Sequence, residues 1–524
     1  MLLDFREAAV PELLQADLCI VGGGAAGIAI AREFIDSGWS VILLESGGLE
    51  PDARVQDLHR GENPRGDFTL HESRFRQLGG TTAVWGGWCA PFDALDFESR
   101  AWVPHSGWPI TRQTLLPWYR RAQDLCQLGE FRYEVADWPG LAAQTLGLDD
   151  ARLSHRLWQL SPPTRFGETY RGELTAAQNI TLLLHATATE IVTGDSAEAV
   201  TEMRIANLEG RRGRVRARLY VAACGGIETP RLMLLSRGVE SAGLANGHDL
   251  VGRYFMEHPH PDAGGVLLSG DIRRFDAYVR RAFGEEEIVV AFGPSPDAQR
   301  RLRILNSSIA VGGELRLGPT EAWDSLTKLA RAVEHGHWPA SAATHVGNVL
   351  GNLDGVLREG YRRRQRQPVR GYRFMARTET APDPANRVTL SDERDALGQL
   401  RARLLWRPGS ADRMTVEKTM LLVAAEFGRL DVGRIRLNEL LLEDDVRWSE
   451  NLSWFGHHMG TTRMSETPRS GVVDADCRVH GMANLYIAGS SVFPTSGYAN
   501  PTLTLLALSL RLADHLKGTQ PFKA

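Results

Sequence analysis

Apolar positions in this chain fall into short solid runs broken by glycine. Residues 17–21 (Asp17-Leu18-Cys19-Ile20-Val21) have the unbroken apolar character of a strand buried on both faces of a parallel sheet. Gly22-Gly23-Gly24-Ala25-Ala26-Gly27 follows at once. Residues 25–37 then have helical composition with Gly38 as the stop, and 39–44 form a second strand closing on Glu45. Further on, 179–184, 186–192, 200–205 and 214–222 carry β patterning, with Gly210 and Gly213 marking a hairpin turn. The run 219–223 ends at Cys224-Gly225-Gly226 and leads into a helix over 229–235, a second strand-to-helix crossover that suits a late strand returning to the first sheet. Residues 100–170 read as helical and irregular, with Trp102, Trp108, Trp118, Trp138 and Trp158 as packing anchors. Between 263 and 454 the pattern changes. Alternating segments at 264–268, 304–313 and 372–380, an extended 388–390 and a helix over 411–427 predict a sheet backed by helices. Near the end, 484–488 is a buried strand running into Gly489-Ser490-Ser491, and Asn500-Pro501-Thr502 opens an apolar helix over 503–516.

The chain has 524 residues, 43% of them hydrophobic, more than one core accommodates, so two domains are expected. A formal charge of -4 gives nucleic acid or an anionic membrane nothing to attract. The longest apolar run, 18–31, is glycine-rich and too short to span a bilayer. Residues 1–16 carry Asp4, Arg6, Glu7 and Glu12, which leaves no signal-peptide core. The five cysteines are scattered, odd in number and without a CxxC pair. They predict no disulfide framework, no thiolate metal site and a reducing, cytoplasmic setting. Glu257, His258 and His260 are close enough to suggest a metal, but Pro259 and the tight spacing favour an ordered loop, so no metal is expected. The basic run 362–366 reads first as a solvated loop, second as a contact for a partner or an anionic substrate.

Two segments carry chemistry. In Gly22-x-Gly24-x-x-Gly27, the first glycine makes the turn, the second lets backbone approach a pyrophosphate, and the third lets helix and strand pack closely. The helix N-terminus offers free N–H groups and its positive dipole end to the phosphates. Glu45, 18 residues after Gly27, stands where a carboxylate accepts ribose hydroxyls, and it disfavours a 2′-phosphate. The motif alone leaves NAD and FAD open. Gly79-Gly80-Thr81 and the Trp85-Gly86-Gly87-Trp88 stretch fit a backbone lying on a flat ring or a phosphate, or an ordinary glycine loop. At the other end, His457 offers a base near neutral pH and Asn500 an amide that could hold an alcohol oxygen without adding charge. Taken singly, His457 is equally well read as a packed core histidine. If the backbone is extended there, His458 points the opposite way.

Together these segments resemble the glucose–methanol–choline (GMC) oxidoreductase family over nearly the whole chain. The resemblance rests on residues 22–27, Glu45, Leu78-Gly79-Gly80-Thr81-Thr82, residues 225–231, His457-His458-Met459-Gly460-Thr461-Thr462-Arg463-Met464, and Ala499-Asn500-Pro501-Thr502-Leu503-Thr504. The Asn-Pro-Thr triplet is similar to the pyranose-oxidase and sugar-dehydrogenase branch. The resemblance implies an α/β fold: a Rossmann-like FAD-binding domain around a central parallel sheet (15–100, 170–262 and 455–520), plus an α+β substrate domain with a mostly antiparallel sheet and cap elements (101–169 and 263–454). It implies His457 as the catalytic histidine with Asn500 as its partner. It further implies FAD contacts along Gly22, Gly24, Ala26, Gly27, Glu45, Gly79, Gly80, Thr81, Ala188, Gly489, Ser490, Pro501 and Thr502. Val84 stands before Trp85 where some sugar oxidases of this branch carry a flavin-linking histidine, so noncovalent FAD is expected. The implied reaction is oxidation of a CH–OH group, of a sugar, glycoside or polyol, to a carbonyl, with proton abstraction at His457 and hydride transfer to flavin N5. Oxygen, a quinone or a redox protein remain as acceptors, and the oligomeric state is open. The alternatives are an NAD(P)-linked oxidoreductase, which would want a second GxGxxG that this chain lacks, and a non-catalytic flavin-binding protein of the same fold.

Overall fold

A computed structural model describes residues 1–66, 69–269, 272–314, 320–334, 342–364, 371–442, 448 and 452–519. Leu18, Cys19 and Ile20 have no exposed surface, as a strand covered on both faces requires. The strand Leu13–Val21 lies between Val41–Leu44 and Arg212–Ala222, parallel to both, with Val21 level with Leu44 and Ala222. Ile180–Leu184 and then the short Leu2–Asp4 extend the parallel sheet beyond Val41–Leu44. On the far side, Val200–Ala206 pairs antiparallel with the first half of Arg212–Ala222, and Leu485–Ile487 takes over the same edge in parallel along its second half. Thr187–Thr193 closes that edge against Val200–Ala206. The helices Ala25–Glu33 and Pro501–Gly518 pack together and share the core of this sheet.

The second large sheet is antiparallel throughout. Its order is Gly433–Leu437, Asp262–Leu268, Gly371–Thr378, Ser307–Glu314, Glu286–Pro294, Leu153–Leu160 and Trp88–Cys89, with Arg281–Phe283 paired to Glu286–Pro294. The 20-residue helix Ser410–Arg429 covers one face, burying Val416, Met420, Val423 and Phe427 against Phe292 and Phe374. A third, small sheet joins Arg387–Arg394, Leu400–Leu405 and Gly61–Glu62. The fold is therefore mixed α/β, a parallel-centred sheet beside an antiparallel one.

Three local expectations change. Residues 100–170 contain a full strand, Leu153–Leu160. Its last five residues are all buried, so it lacks the alternation that would have revealed it. Gly213 lies inside the strand Arg212–Ala222 rather than in the turn, because a Cβ there would come within 2.8 Å of the Phe5 ring; Gly210, at φ +88°, makes the turn. The helix expected from 229 starts at Gly225. Of the basic run, Gln365 and Arg366 lie outside the described residues. Among the described residues no helix is long and apolar enough to cross a membrane, and all five cysteines are free.

Candidate active site

The glycines of the first loop divide by what surrounds them. Gly22 sits at φ +112° with the Ala223 carbonyl oxygen 2.6 Å from where a Cβ would stand, and a Cβ on Gly27 would come within 2.0 Å of the Gly22 carbonyl oxygen. Both positions therefore require glycine for internal packing. Gly24, N-cap of the helix Ala25–Glu33, is different: a Cβ there meets nothing within 4 Å. Gly225 (φ +80°), at the start of Gly225–Leu235, and Gly489 (φ +109°) also face open space. All three open onto a cavity of about 1030 Å³. That is at or above the ~300–1,000 Å³ of ordinary ligand pockets.

The structure brings the sequence candidates to this one cavity. Gly22, Gly24, Ala26, Glu45, Gly79, Gly80, Thr81, Ala188, Gly489, Ser490, Pro501 and Thr502 line it, together with His457 and Asn500. Gly27 stands behind the wall, where helix and strand touch. The second glycine loop is seated on the first: the Gly79 N–H donates to the Gly23 carbonyl at 2.7 Å, and a Cβ on Gly80 would press on Gly24 Cα at 3.2 Å. Ser490 donates its hydroxyl to the His458 carbonyl at 2.6 Å, tying the Gly489 loop to the histidine segment.

Glu45 is buried at the cavity wall. Its two oxygens accept from the N–H groups of Gly23 (2.9 Å) and Gly47 (2.7 Å), yet burial still pushes its carboxyl up from the usual range. It therefore locks the glycine loop, and each oxygen has a second lone pair with which to accept a hydroxyl. Farther along this wall, Arg74 and Arg76 share Glu228 at 2.7 and 2.6 Å. Those arginines, with Arg231, hold the Glu228 carboxyl well below its ordinary range although burial acts against them.

At the other end, His457 and Asn500 meet. Asn500 is the N-cap residue of Pro501–Gly518 but makes no capping bond with its side chain. A side chain that ordinarily satisfies a helix N–H is turned away: Asn500 Nδ2 lies 3.2 Å from His457 Nε2, and its Oδ1 accepts from Arg377. Arg377 has only donors, so the amide must present oxygen to the guanidinium and N–H to the imidazole.

Behind His457, the backbone bonds Met256 to Met459 in both directions at 3.0 Å, an antiparallel register that sets 258 opposite 457. His258 Nδ1 is 3.0 Å from His457 Nδ1. The other nitrogen of His258, Nε2, faces the carbonyls of Ser496 (3.1 Å) and Gly497 (3.0 Å) and must carry the proton. A neutral His258 then has a bare Nδ1, which accepts from the Nδ1–H of His457. The bare nitrogen left on His457 is Nε2, the one beside Asn500. Burial brings His258 down to about 3, and burial, then His258 and Arg377, hold His457 well below 6.5. Both rings are neutral at pH 7, which this tautomer chain requires. Glu257 Oε1 is 3.7 Å from His457 Nδ1, and burial pushes that carboxyl up to about 8. His458 turns to pack on Phe255 with ring centroids 5.8 Å apart. The arrangement can remove a hydroxyl proton at His457 Nε2 while Asn500 Nδ2–H holds the oxygen.

The sequence pattern reads His258 and His260 as part of an ordered loop and gives no sign of Arg377. The acid-and-histidine spacing was the available signal; its partner, 199 residues later, was not visible. Among the described residues no cluster of three metal-ligating side chains exists.

The chain has relatives among known proteins. Residues 382–509 match the family described as GMC oxidoreductase. Over 96% of its length the chain is 24% identical to the fructose dehydrogenase large subunit of Gluconobacter japonicus, covering 98% of that protein. It is 23% identical to the 2-methyl-1,2-propanediol dehydrogenase of Mycolicibacterium austroafricanum, covering 96% of this chain and 95% of that one. The 6'''-hydroxyparomomycin C oxidase of Streptomyces lividus is 24% identical, with 95% and 92% covered. The crystal structure of pyridoxine 4-oxidase from Mesorbium loti superposes with a TM-score of 0.59 at 16% identity over 96% of this chain and 99% of that one, a likeness of fold.

Proposed function

We propose that this chain is an FAD-dependent oxidoreductase of the GMC type that oxidises a carbinol of a sugar, glycoside or polyol to a carbonyl, with His457 as the base. The observation that carries the reading is the bare Nε2 of His457, 3.2 Å from the Asn500 amide, on the wall of the glycine-lined cavity. The residues present fit FAD. Gly24, Gly225 and Gly489 leave open the space that side chains would fill. Helix N-termini at Gly24 and Gly225 suit a pyrophosphate, and Glu45 suits a ribose diol. The attachment is noncovalent in this reading. Val84 offers no nucleophile, and burial pushes the one cysteine on the cavity wall, Cys224, up to about 12. Residues 15–100, 170–262 and 455–520 would hold the cofactor, and 101–169 with 263–454 the substrate.

FAD, when bound, supplies the acceptor for the hydride that leaves the carbinol carbon. The protein's part is the proton. The substrate hydroxyl donates to His457 Nε2 and accepts from Asn500 Nδ2–H. As the proton moves, the new imidazolium keeps its Nδ1–H on His258 and offsets the alkoxide charge. Such a base contributes ~10²–10⁴-fold. The preference for a polyhydroxylated substrate follows the relatives named for fructose, a propanediol and an aminoglycoside. An anaerobic screen of sugars and polyols, read as bleaching of the flavin band, tests the reading. Bleaching by at least one class is expected, and none by any alcohol would overturn it. Repeating the reactive cases in air and with quinone dyes identifies the acceptor.

A further inference from the structure

We propose that Arg377 makes this a site for an acidic alcohol: a hydroxy acid or sugar acid whose carboxylate lies one or two carbons from the oxidised carbinol. The inference deepens the alcohol-oxidation reading and rests on it for the position of the reacting carbon. Arg377 lies on the cavity wall, on the strand Gly371–Thr378. Three buried arginines elsewhere have carboxylate partners, Arg100 with Glu379 at 2.5 Å, Arg156 with Asp93 at 2.8 Å and Arg231 with Asp395 at 2.6 Å, whereas the buried Arg463 donates to the His105 carbonyl and lies over the Tyr254 ring. Among the described residues Arg377 has no carboxylate at ion-pair distance. Among those residues its side chain makes one hydrogen bond, to the Asn500 oxygen, and its Nε is enclosed without a partner. Its flanks are the rings of Trp158 and Trp88, 5.5 and 5.8 Å from the guanidinium carbon, and Trp158 Nε1 is likewise enclosed and unpartnered. Glu257, the acid that acts on it electrically, is pushed up to about 8 and is mostly neutral at pH 7.

Arg377 is half-buried, and a guanidinium drawn partly out of water without a counter-ion is costly. The charge is balanced when an anion enters the cavity beside it. Its position says which part of the substrate that anion belongs to. Arg377 touches one end of the Asn500 amide and His457 Nε2 the other, so the cation stands one carboxamide's width from the base. A carboxylate there meets terminal N–H groups of the guanidinium in a charge-assisted pair, while its neighbouring hydroxyl reaches His457. A cationic alcohol of the same shape is repelled.

Two measurements on the FAD-loaded enzyme test this. In the first, propionate and propionamide, which lack an oxidisable hydroxyl, are titrated while the visible flavin band is followed. Propionate is expected to bind roughly tenfold to a hundredfold more tightly, and Arg377→Met to erase that ratio. Equal binding of the two, or no binding of either, overturns the proposal. If Arg377→Met does not fold, the wild-type ratio decides alone. In the second, flavin reduction is compared for glycolate with ethylene glycol and for gluconate with sorbitol. A higher kcat/KM for the acid of a pair supports the proposal. A preference for the neutral alcohols overturns it and leaves alcohol oxidation standing. Selective propionate binding with no reduction by any alcohol overturns the oxidation reading and leaves the anion site.

Discussion

His258→Phe removes the only acceptor that the described residues offer the Nδ1–H of His457, while keeping a flat ring of similar size. Glu257 Oε1, at 3.7 Å, is too far to replace it. An enclosed donor left unpaired costs ~1–3 kcal/mol. That cost falls on the tautomer with a bare Nε2, the only one able to take a proton from a substrate placed at Asn500. The alternative tautomer sets an Nε2–H against the Asn500 N–H, and Asn500 cannot turn over because Arg377 holds its oxygen. Because both neutral tautomers are then penalised, the loss appears as the proton moves: the new imidazolium has no acceptor for its Nδ1–H, and the rate should fall by this free energy, roughly fivefold to 150-fold at 1.4 kcal/mol per decade. The assay is the limiting rate of flavin reduction in anaerobic rapid mixing at saturating substrate, with FAD occupancy matched to wild type. A loss confined to that range with KM little changed is expected. A rate within twofold of wild type would refute the tautomer argument, as would a loss carried wholly by KM.

Other consequences separate cofactor binding from folding. Gly24→Val adds its side chain to open cavity at an N-cap with ordinary φ of -82°. It should give a folded, colourless protein whose far-UV circular dichroism matches wild type, and full yellow occupancy would contradict the placement of the pyrophosphate. Gly27→Ala puts a methyl 2.0 Å from the Gly22 carbonyl oxygen and should lower stability by at least ~1–3 kcal/mol, read in denaturant melts with FAD in excess; an unchanged midpoint would count against the close helix–strand contact. The base is disabled by protonation, and burial, His258 and Arg377 depress that protonation, so kcat/KM followed across about pH 5 to 8 should lose activity only well below 6.5. An acid limb centred at or above 6.5 would mean that His457 is more exposed or differently paired.

The parts legible in the sequence are those whose physics is local. Gly22, Gly24 and Gly27 announce a strand-turn-helix because each spacing serves one turn. Asn500-Pro501 announces a helix start by cap and ring constraints. Both lie where backbone geometry and residue type are tied within a few positions. His258 was visible as a residue but not as a partner: it meets His457 only because the 256–459 bridge sets a register between segments 199 residues apart. Arg377 is harder still. Its strand, Gly371–Thr378, alternates like any half-buried strand, and its meaning arises from having no carboxylate at ion-pair distance among the described residues, which no local pattern encodes. Leu153–Leu160 escaped for the opposite reason, since burial of its whole second half erases the period of two.

The central claim is that the imidazole of His457 takes the substrate proton beside the flavin. The most direct measurement is the rate of anaerobic flavin reduction by a reactive alcohol in His457→Ala, with bound FAD counted by absorbance. FAD occupancy should equal that of wild type while the reduction rate falls by ~10²–10⁴-fold. A fully loaded variant whose flavin is reduced as fast as in the wild type would contradict the account.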